Sequence, residues 1–260
     1  MEKKVNKPFV VDDGNVAFYV RRISAWINER VQSAGCKGVM LGMSGGVDCS
    51  VVACLCRKAS VDIHLVMMPY GDDMSNSKSY AHAIELIEKF GFPYHMYDIK
   101  PAVDAIAITE KISTFETSKE NLSLSQANIR PRVRMTYLYR LAQQGGRLVA
   151  GTGNLAERTV GYFTKWGDGA CDFNPLAMMT KHEVYSLARY LEVPGCIIHK
   201  KPSAGLWEGQ TDEDELGMTY AQIDAFILHG SSGDEVVDRL IEKRMRMSAH
   251  KFAAIPIFEG

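Results

Sequence analysis

The chain has 260 residues, of which 46% are hydrophobic and 23% charged, a balance typical of a globular protein that folds around its own core. Its 30 Lys and Arg residues against 31 Asp and Glu give a net charge of −1, which argues against a dedicated nucleic-acid binder because such proteins carry a basic excess. No apolar run approaches the ~20 residues that span a bilayer. Six cysteines without a CxxC pair argue against a zinc ribbon or a disulfide framework. We therefore expect a cytoplasmic protein that contacts neither nucleic acid nor membrane.

Helix and strand patterns alternate along the first 150 residues. Apolar periodicity predicts a first helix at 15–34, with Asp12 and Asp13 as capping candidates and Gly35 as its end. Short apolar runs predict strands, the first of them buried, and the periodic stretches between them predict helices. In chain order these are a strand at 38–43, a helix at 49–58, a strand at 62–68, a helix at 78–90, a strand at 93–99, a helix at 123–144 and a strand at 147–150. Pro131 argues against the early part of the last helix, because proline removes an amide donor.

Beyond residue 172 the pattern is helical. Thr180 with Glu183, and Thr219 with Gln222, each have the spacing of a capping box at a helix start. Strands that alternate with helices predict an α/β fold, a doubly wound and mainly parallel sheet with helices on both faces. A helical C-terminal portion follows. Because no repeat or Pro/Gly-rich linker interrupts the chain, we expect one domain over 1–260.

The stretch 44–50, SGGVDCS, lies between the first predicted strand and the next helix. In that position, consecutive backbone N–H groups and the helix N-terminus can bind an anion, and the two glycines let phosphate approach the backbone. The stretch lacks the lysine of a GxxxxGK[ST] loop and the spacing of GxGxxG. A ligand-free tight turn is the alternative, but Ser44 and Asp48 in this setting favour a phosphate loop.

Two acidic residues follow the ends of two predicted strands. Asp48 could simply stabilise a helix dipole, yet next to phosphates an unneutralised carboxylate would repel them. A bridging Mg²⁺ removes that conflict, since it binds carboxylates together with phosphate oxygens. Glu157 lies in the stretch 151–157, GTGNLAE, directly after the fourth predicted strand. If the first and fourth strands are neighbours, both acids converge at the carboxyl edge of the sheet.

Four stretches together carry a resemblance to a known family: SGGVD at 44–48, GTGNLAE at 151–157, YFTKWGDG at 162–169 and KPSAGLWEGQTDE at 201–213. The first is similar to the loop of the N-type ATP pyrophosphatases, which have the adenine nucleotide alpha-hydrolase-like fold. In this order and spacing, the four resemble ammonia-dependent NAD synthetase, from about residue 16 to residue 251. That resemblance implies a ligase that uses ATP to convert deamido-NAD and ammonia into NAD. An adenylated intermediate forms on the way, and AMP and pyrophosphate are released.

The resemblance also implies the roles of individual residues. The ATP contacts would be the phosphate loop Gly42, Met43, Ser44, Gly45, Gly46, Val47, Asp48 and Cys49, together with Thr152, Lys181 and Ser203. Mg²⁺ would be held by Asp48 and Glu157, and catalysis would depend on Asp48 and Lys181. The deamido-NAD contacts would be Arg132, Lys165, Asp172, His250 and Lys251. The family further implies a homodimer. Since only about 40 residues precede the loop, we expect no fused glutaminase domain.

Two alternatives and one departure accompany this interpretation. A tRNA-modifying ATP pyrophosphatase would need a basic face and a cysteine pair, and a non-catalytic nucleotide sensor would not need Asp48 and Glu157 together. The departure is Cys49, where the family loop normally ends in serine. A thiol is a weaker hydrogen-bond donor than a hydroxyl, so the departure puts that contact in doubt and leaves the activity in place.

Overall fold

Four parallel strands form the centre of the computed structural model, which describes residues 5–71, 78–108, 118–201 and 211–258. The strands lie in the order β3-β2-β1-β4. In register, Gly38 of β1 pairs with Asp62 of β2 and with Arg147 of β4. The first and fourth strands are therefore neighbours. The strand bounds are β1 Gly38–Gly42, β2 Asp62–Met67, β3 Tyr94–Met96 and β4 Arg147–Val149.

Helices connect the strands and make up most of the rest of the chain. Helix α1, Val16–Ser33, precedes β1, and the helices between strands are α2 Val47–Lys58, α3 Lys78–Phe90, α4 Lys100–Ile108 and α5 Lys119–Gly145. Those after the last strand are α6 Leu155–Val160, α7 Lys181–Tyr190, α8 Gly195–Ile198, α9 Asp212–Leu216, α10 Tyr220–His229 and α11 Glu235–Ser248, followed by a 3₁₀ turn at Ala249–Lys251. The helical C-terminal portion is thus confirmed.

Helices cover both faces of the sheet, as the doubly wound fold requires. One face packs against apolar residues of α1, α2, α3 and α7, with Leu41 and Leu65 at its centre. The other face, with Met40 and Val66, packs against α4 and α5. A separate apolar cluster joins α6, α10 and α11. Strand β1 is buried on both faces, which explains why its sequence is a continuous apolar run without strict alternation.

The predicted elements are all present, but several of their bounds differ. Helix α2 begins two residues earlier than its periodicity indicated, at Val47, immediately after the glycine pair. The third strand was predicted too long, because residues after Met96 lead into α4, which the sequence pattern did not predict. Pro101 lies in the first turn of α4, where a missing amide donor costs little.

The doubt about the early part of the fifth helix was wrong. Helix α5 begins at Lys119, with the Ser118 hydroxyl accepting a hydrogen bond from the Asn121 amide, and it continues through Pro131. Proline removes one amide donor there, but the rest of the helix packs along β1 and β4. The Pro131 ring also lies against Gly167, because a Cβ added to Gly167 would come 3.1 Å from the Pro131 Cβ. Tertiary packing therefore outweighs the local cost.

The prediction that Asp12 or Asp13 caps the first helix was wrong, because the N-cap of α1 is Asn15 and no side chain of the described residues makes a cap hydrogen bond there. Asp12 accepts hydrogen bonds from the amides of Gly14 and Asn15 in the turn before α1. Asp13 instead contacts Arg189. In the described ranges, no helix is long and apolar enough to cross a membrane.

Candidate active site

The predicted phosphate loop lies at the carboxyl end of β1 and runs directly into α2. Gly45 has φ +74°, and an added Cβ would come 2.1 Å from the Ser79 carbonyl oxygen, so only glycine fits. Gly46 is the N-cap of α2, and no side chain in the described part of the protein caps that helix. The first-turn amides therefore lack a side-chain partner and carry the positive end of the helix dipole. This geometry suits an anion.

Cys49 lies on the inner side of the loop. It is 4% exposed, and its Sγ lies 3.2 Å from the Gly46 carbonyl oxygen and 3.3 Å from the Ser44 Oγ. The next residue, Ser50, is fully buried and donates to the same Gly46 carbonyl at 2.7 Å. Both side chains therefore stabilise the turn of the loop itself.

Three charged side chains meet beside this loop. The Lys181 Nζ lies 2.7 Å from the Asp48 Oδ2 and 3.5 Å from the Glu157 Oε1. Asp48 belongs to α2, after β1, and Glu157 belongs to α6, after β4. Because these two strands are neighbours, their carboxyl ends bring the acids together, as the sequence predicted. Lys181 arrives from α7 and lies between them.

Each of these side chains occupies the first turn of a helix. Asp48 follows the N-cap Gly46 by two residues. Glu157 is the third residue of α6 and forms a capping box with Asn154, whose side chain accepts from the Glu157 amide at 3.0 Å. Lys181 is the first residue of α7. This helix begins with the predicted capping box of Thr180 and Glu183. Three helix N-termini therefore point toward one place and favour negative charge there.

The charges in this cluster oppose one another. Burial, followed by the neighbouring Asp48 carboxylate, raises the pKa of Glu157 to about 8. Burial disfavours the ammonium of Lys181, but Asp48 and Glu157 outweigh it and raise the pKa of Lys181 above its ordinary value. The single ammonium is paired with Asp48, so a proton on Glu157 is favoured over a second negative charge in the cluster. Ionisable groups with such shifts are typical of functional sites.

Sequence reasoning missed several side chains around this cluster. The Asn154 Nδ2 donates to the Asp48 Oδ1 at 2.9 Å. The Tyr220 hydroxyl donates to Asp212 at 3.0 Å and lies 3.4 Å from the Glu157 Oε1. The Lys181 Nζ lies 4.7 Å from the centre of the Tyr220 ring. The spacing of Asn154 and Glu157 is visible as a capping box in the sequence, but nothing local joins Asp212 and Tyr220 to residues more than 50 positions away.

A family model settles which proteins this chain is related to. The model described as NAD synthase matches residues 19–255. The chain belongs to the NAD synthase family. The match confirms the resemblance inferred from the four sequence stretches, and it spans the sheet, the loop and all three charged side chains.

Individual NAD synthase relatives agree with this membership. The NH(3)-dependent NAD(+) synthetase of Finegoldia magna is 41% identical over 94% of this chain and 97% of its own length. Among solved structures, NMN synthetase from Francisella tularensis has a TM-score of 0.83 and 36% identity over 94% of this chain and 99% of that chain. The NH3-dependent NAD synthetase from Campylobacter jejuni has a TM-score of 0.75 and 29% identity over 96% of this chain and 100% of that chain.

Of the five residues predicted to contact deamido-NAD, three lie close together and two lie elsewhere. Lys165, His250 and Lys251 are close together: the Lys165 Nζ donates to the His250 carbonyl at 2.7 Å, and Lys251 donates to the carbonyls of Gly161 and Phe163. Burial lowers the pKa of Lys251. Arg132 is exposed on α5. The geometry therefore clusters three of these residues and leaves Arg132 and Asp172 on other elements.

Asp172 has a structural role that the sequence did not indicate. Its carboxylate accepts from the Val149 amide at 2.7 Å and from the Tyr139 hydroxyl at 3.2 Å. It therefore fixes the chain after the loop 161–169 against the free edge of β4.

Of the remaining predicted ATP contacts, Thr152 is half-buried between β4 and α6, and Ser203 lies outside the described residues.

Proposed function

We propose that this protein converts deamido-NAD to NAD, using ATP and ammonia and releasing AMP and pyrophosphate. The observation that carries the proposal is the convergence of Asp48, Glu157 and Lys181 beside an anion-binding loop in a chain of the NAD synthase family. An amide-forming ligase of this kind must bring two anionic substrates together. It needs cations and aligned amides more than it needs a nucleophile of its own.

The substrate supplies the nucleophile in this reaction. The carboxylate of the nicotinate ring attacks the α-phosphorus of ATP, the bond to the pyrophosphate group breaks, and an adenylated carboxyl group results. Ammonia then adds to the acyl carbon, AMP leaves, and a proton from ammonia passes to solvent. Catalysis therefore rests on positioning and on charge neutralisation. The first-turn amides of α2 bind phosphate oxygens, and the Lys181 ammonium supplies positive charge next to them.

Mg²⁺ fits the donor set of this site. Asp48 and Glu157 each present a carboxylate oxygen to the same cation, the Lys181 ammonium. Magnesium is usually held by one or two carboxylates together with substrate phosphates and water. Among the described residues, no group of three His, Cys, Asp or Glu side chains offers a complete protein site, which suits an ion that arrives with ATP. When bound, it would neutralise the phosphates and the second carboxylate.

The dinucleotide substrate contacts Arg132, Lys165, Asp172, His250 and Lys251, and ATP also contacts Thr152 and Ser203. The cluster of Lys165, His250 and Lys251 supports one end of such a site. The two phosphates of the substrate would compete with backbone carbonyls for the lysine ammonium groups that now donate to those carbonyls.

The protein acts in the cytoplasm as a homodimer. The exposed apolar side chains of Leu122 and Leu124, on the same helix as Arg132, support a subunit contact next to the dinucleotide site. Sedimentation velocity measures this directly. We expect one species at twice the chain mass, and a single-chain mass would contradict the dimer.

A second candidate is the amidation of nicotinic acid mononucleotide to NMN. It has one supporting observation, the higher TM-score and identity of the NMN synthetase relative to the NAD synthetase structure. Both candidates use the same acyl-adenylate chemistry, so the adenylation site cannot distinguish them. They differ in the size of the substrate that the groups around Arg132 and Lys165 accept.

One assay separates these possibilities. The purified protein is incubated with ATP, Mg²⁺ and ammonium, and with either deamido-NAD or nicotinic acid mononucleotide, and the products are quantified by chromatography. We expect a kcat/KM at least about tenfold higher for deamido-NAD. A preference for the mononucleotide would favour the second candidate, and no amidation of either substrate would refute the ligase proposal.

A further inference from the structure

A second lysine flanks the phosphate loop, on the side of α3. Lys200 follows α8, and its Nζ donates to the Ser79 hydroxyl at 2.7 Å. Ser79 is the second residue of α3. The sequence patterns assigned no role to Lys200.

Contacts of Ser79 place this ammonium close to the loop. The Ser79 carbonyl oxygen lies against Gly45, where an added Cβ would come within 2.1 Å of it. In space, Ser79 alone therefore separates the Lys200 ammonium from the loop backbone. The Cys49 thiol and the Asp212 carboxylate are also near enough to influence its charge.

The two lysines of the site differ in how their charges are balanced. Lys181 has the Asp48 carboxylate at 2.7 Å. Over the described ranges, no carboxylate oxygen lies within 4.0 Å of the Lys200 Nζ, and its hydrogen-bond partner is a neutral hydroxyl. Burial lowers the pKa of Lys200. Because it has no anionic partner among the described residues, this half-buried ammonium next to an anion-binding loop is suited to bind a phosphate.

We propose that Lys200 binds the two phosphates of ATP that leave as pyrophosphate. This proposal rests on the proposed function, because it assigns Lys200 to the leaving group of the adenylation step. Negative charge grows on that group as the bond from the α-phosphorus breaks, and a cation placed there stabilises the transition state. Lys181, next to Asp48 and Glu157, serves the other flank of the loop.

The alternative is that Lys200 only ties α3 to the segment after α8. Two variants separate the roles. Ser79→Ala removes the tie and keeps the ammonium, whereas Lys200→Gln removes the ammonium. Lys58→Gln is the matched control, because Lys58 is exposed at the far end of α2, the helix that carries the loop.

Isothermal titration with inorganic pyrophosphate and with AMP, both in the presence of Mg²⁺, tests the proposal without requiring turnover. We expect Lys200→Gln to weaken pyrophosphate binding at least tenfold and to change AMP binding less than threefold. Ser79→Ala and Lys58→Gln should each change pyrophosphate binding less than threefold. Lys200→Arg should recover part of the affinity, because it restores the charge.

Three results would overturn the proposal: unchanged pyrophosphate affinity in Lys200→Gln, equal losses in Lys200→Gln and Ser79→Ala, or no pyrophosphate binding by the wild-type protein. Thermal unfolding of each variant shows whether a loss of binding reflects a loss of folded protein. A wild-type protein that binds pyrophosphate through Lys200 but forms no NAD would refute the proposed function and leave the assignment of Lys200 standing.

Discussion

Charged side chains gather at both ends of the same parallel sheet, and the two clusters differ in how well their charges are balanced. At the amino end, Arg147 forms an ion pair with Asp62 and donates to the His64 Nε2 at 3.0 Å, and the His64 Nδ1 lies 3.1 Å from the His95 Nε2. At the carboxyl end, Lys181 faces two carboxylates, and burial and Asp48 raise the pKa of Glu157 to about 8.

The chain builds these two clusters in different ways. Asp62 and Arg147 both pair in register with Gly38, so their side chains meet over a residue that has none. The carboxyl-end cluster comes from three helix starts that are more than 20 residues apart in the chain. Matched charges on the two strands that flank β1 serve stability, whereas an unbalanced cluster at the carboxyl edge is left for a ligand to complete. We expect substitutions at the carboxyl end to lower activity strongly and substitutions at the amino end to leave activity nearly unchanged.

The largest effect should come from Asp48→Asn. Asp48 is the nearest partner of the Lys181 ammonium, and it is a ligand of the proposed metal. We expect NAD formation to fall at least about 100-fold, as is usual when charge stabilisation of a transition state is lost. Because a buried cation loses its best partner, the free energy of unfolding should also fall, by about 3 kcal/mol. Turnover at saturating substrates and urea unfolding measure the two effects. Activity within tenfold of wild type would remove Asp48 from the site.

Glu157→Gln should separate function from stability. In metal-free, nucleotide-free protein, the raised pKa of Glu157 means that the folded state binds its proton more tightly than the unfolded chain does. Stability is then lost as the pH rises from about 5 to about 8, by at most about 1.4 kcal/mol per pH unit. The glutamine variant should lack this slope while losing about 100-fold in turnover.

Urea unfolding of both proteins at pH 5, 6, 7 and 8 isolates the contribution of Glu157. Other titrating groups are common to the wild type and the variant, including His64, whose pKa is lowered by burial and then by Arg147. The difference between the two stability curves therefore reports on Glu157. Parallel curves would show that folding does not raise the pKa of Glu157.

At the amino end, we expect a small loss of stability and almost no change in activity. Arg147→Met removes the ion pair with Asp62 and the donor to His64, so we expect the free energy of unfolding to fall by about 1 kcal/mol. The kcat/KM for deamido-NAD should stay within twofold of wild type. A loss of activity larger than the loss of folded protein would show that the two ends of the sheet are coupled.

The smallest effect should come from Cys49→Ser. The thiol contacts the Gly46 carbonyl and the Ser44 hydroxyl inside the turn, and a serine hydroxyl can make both contacts at shorter distance. We expect turnover within about threefold of wild type. Steady-state kinetics with ATP as the varied substrate decide this. A change above tenfold would indicate that the side chain contacts ATP directly.

Features that local chemistry dictates could be predicted from the sequence. The strand, loop and helix from Gly38 to Lys58 follow from an apolar run, two glycines and a helical pattern. The predicted capping boxes at Thr180 and Thr219 are both present, with each hydroxyl accepting from the expected amide. The meeting of Asp48 and Glu157 was conditional on strand order, and the order β3-β2-β1-β4 fulfils that condition.

Features that depend on distant packing could not be predicted in this way. Pro131 lies inside α5 because that helix packs along the sheet and against Gly167, which no local pattern reveals. Tyr220 and Asp212 approach Glu157 only after α9 and α10 have folded against α6. Lys181 could be assigned to ATP from the resemblance, but its place between two carboxylates required the structure.

In the proposed reaction, the carboxyl end of the sheet activates a substrate carboxylate with ATP. The most direct test uses deamido-NAD labelled with oxygen-18 in its carboxylate, and mass spectrometry of the AMP formed. We expect one labelled oxygen in the phosphate of each AMP, with NAD, AMP and pyrophosphate produced in equal amounts. AMP without label, or ADP and inorganic phosphate as the products, would contradict the account.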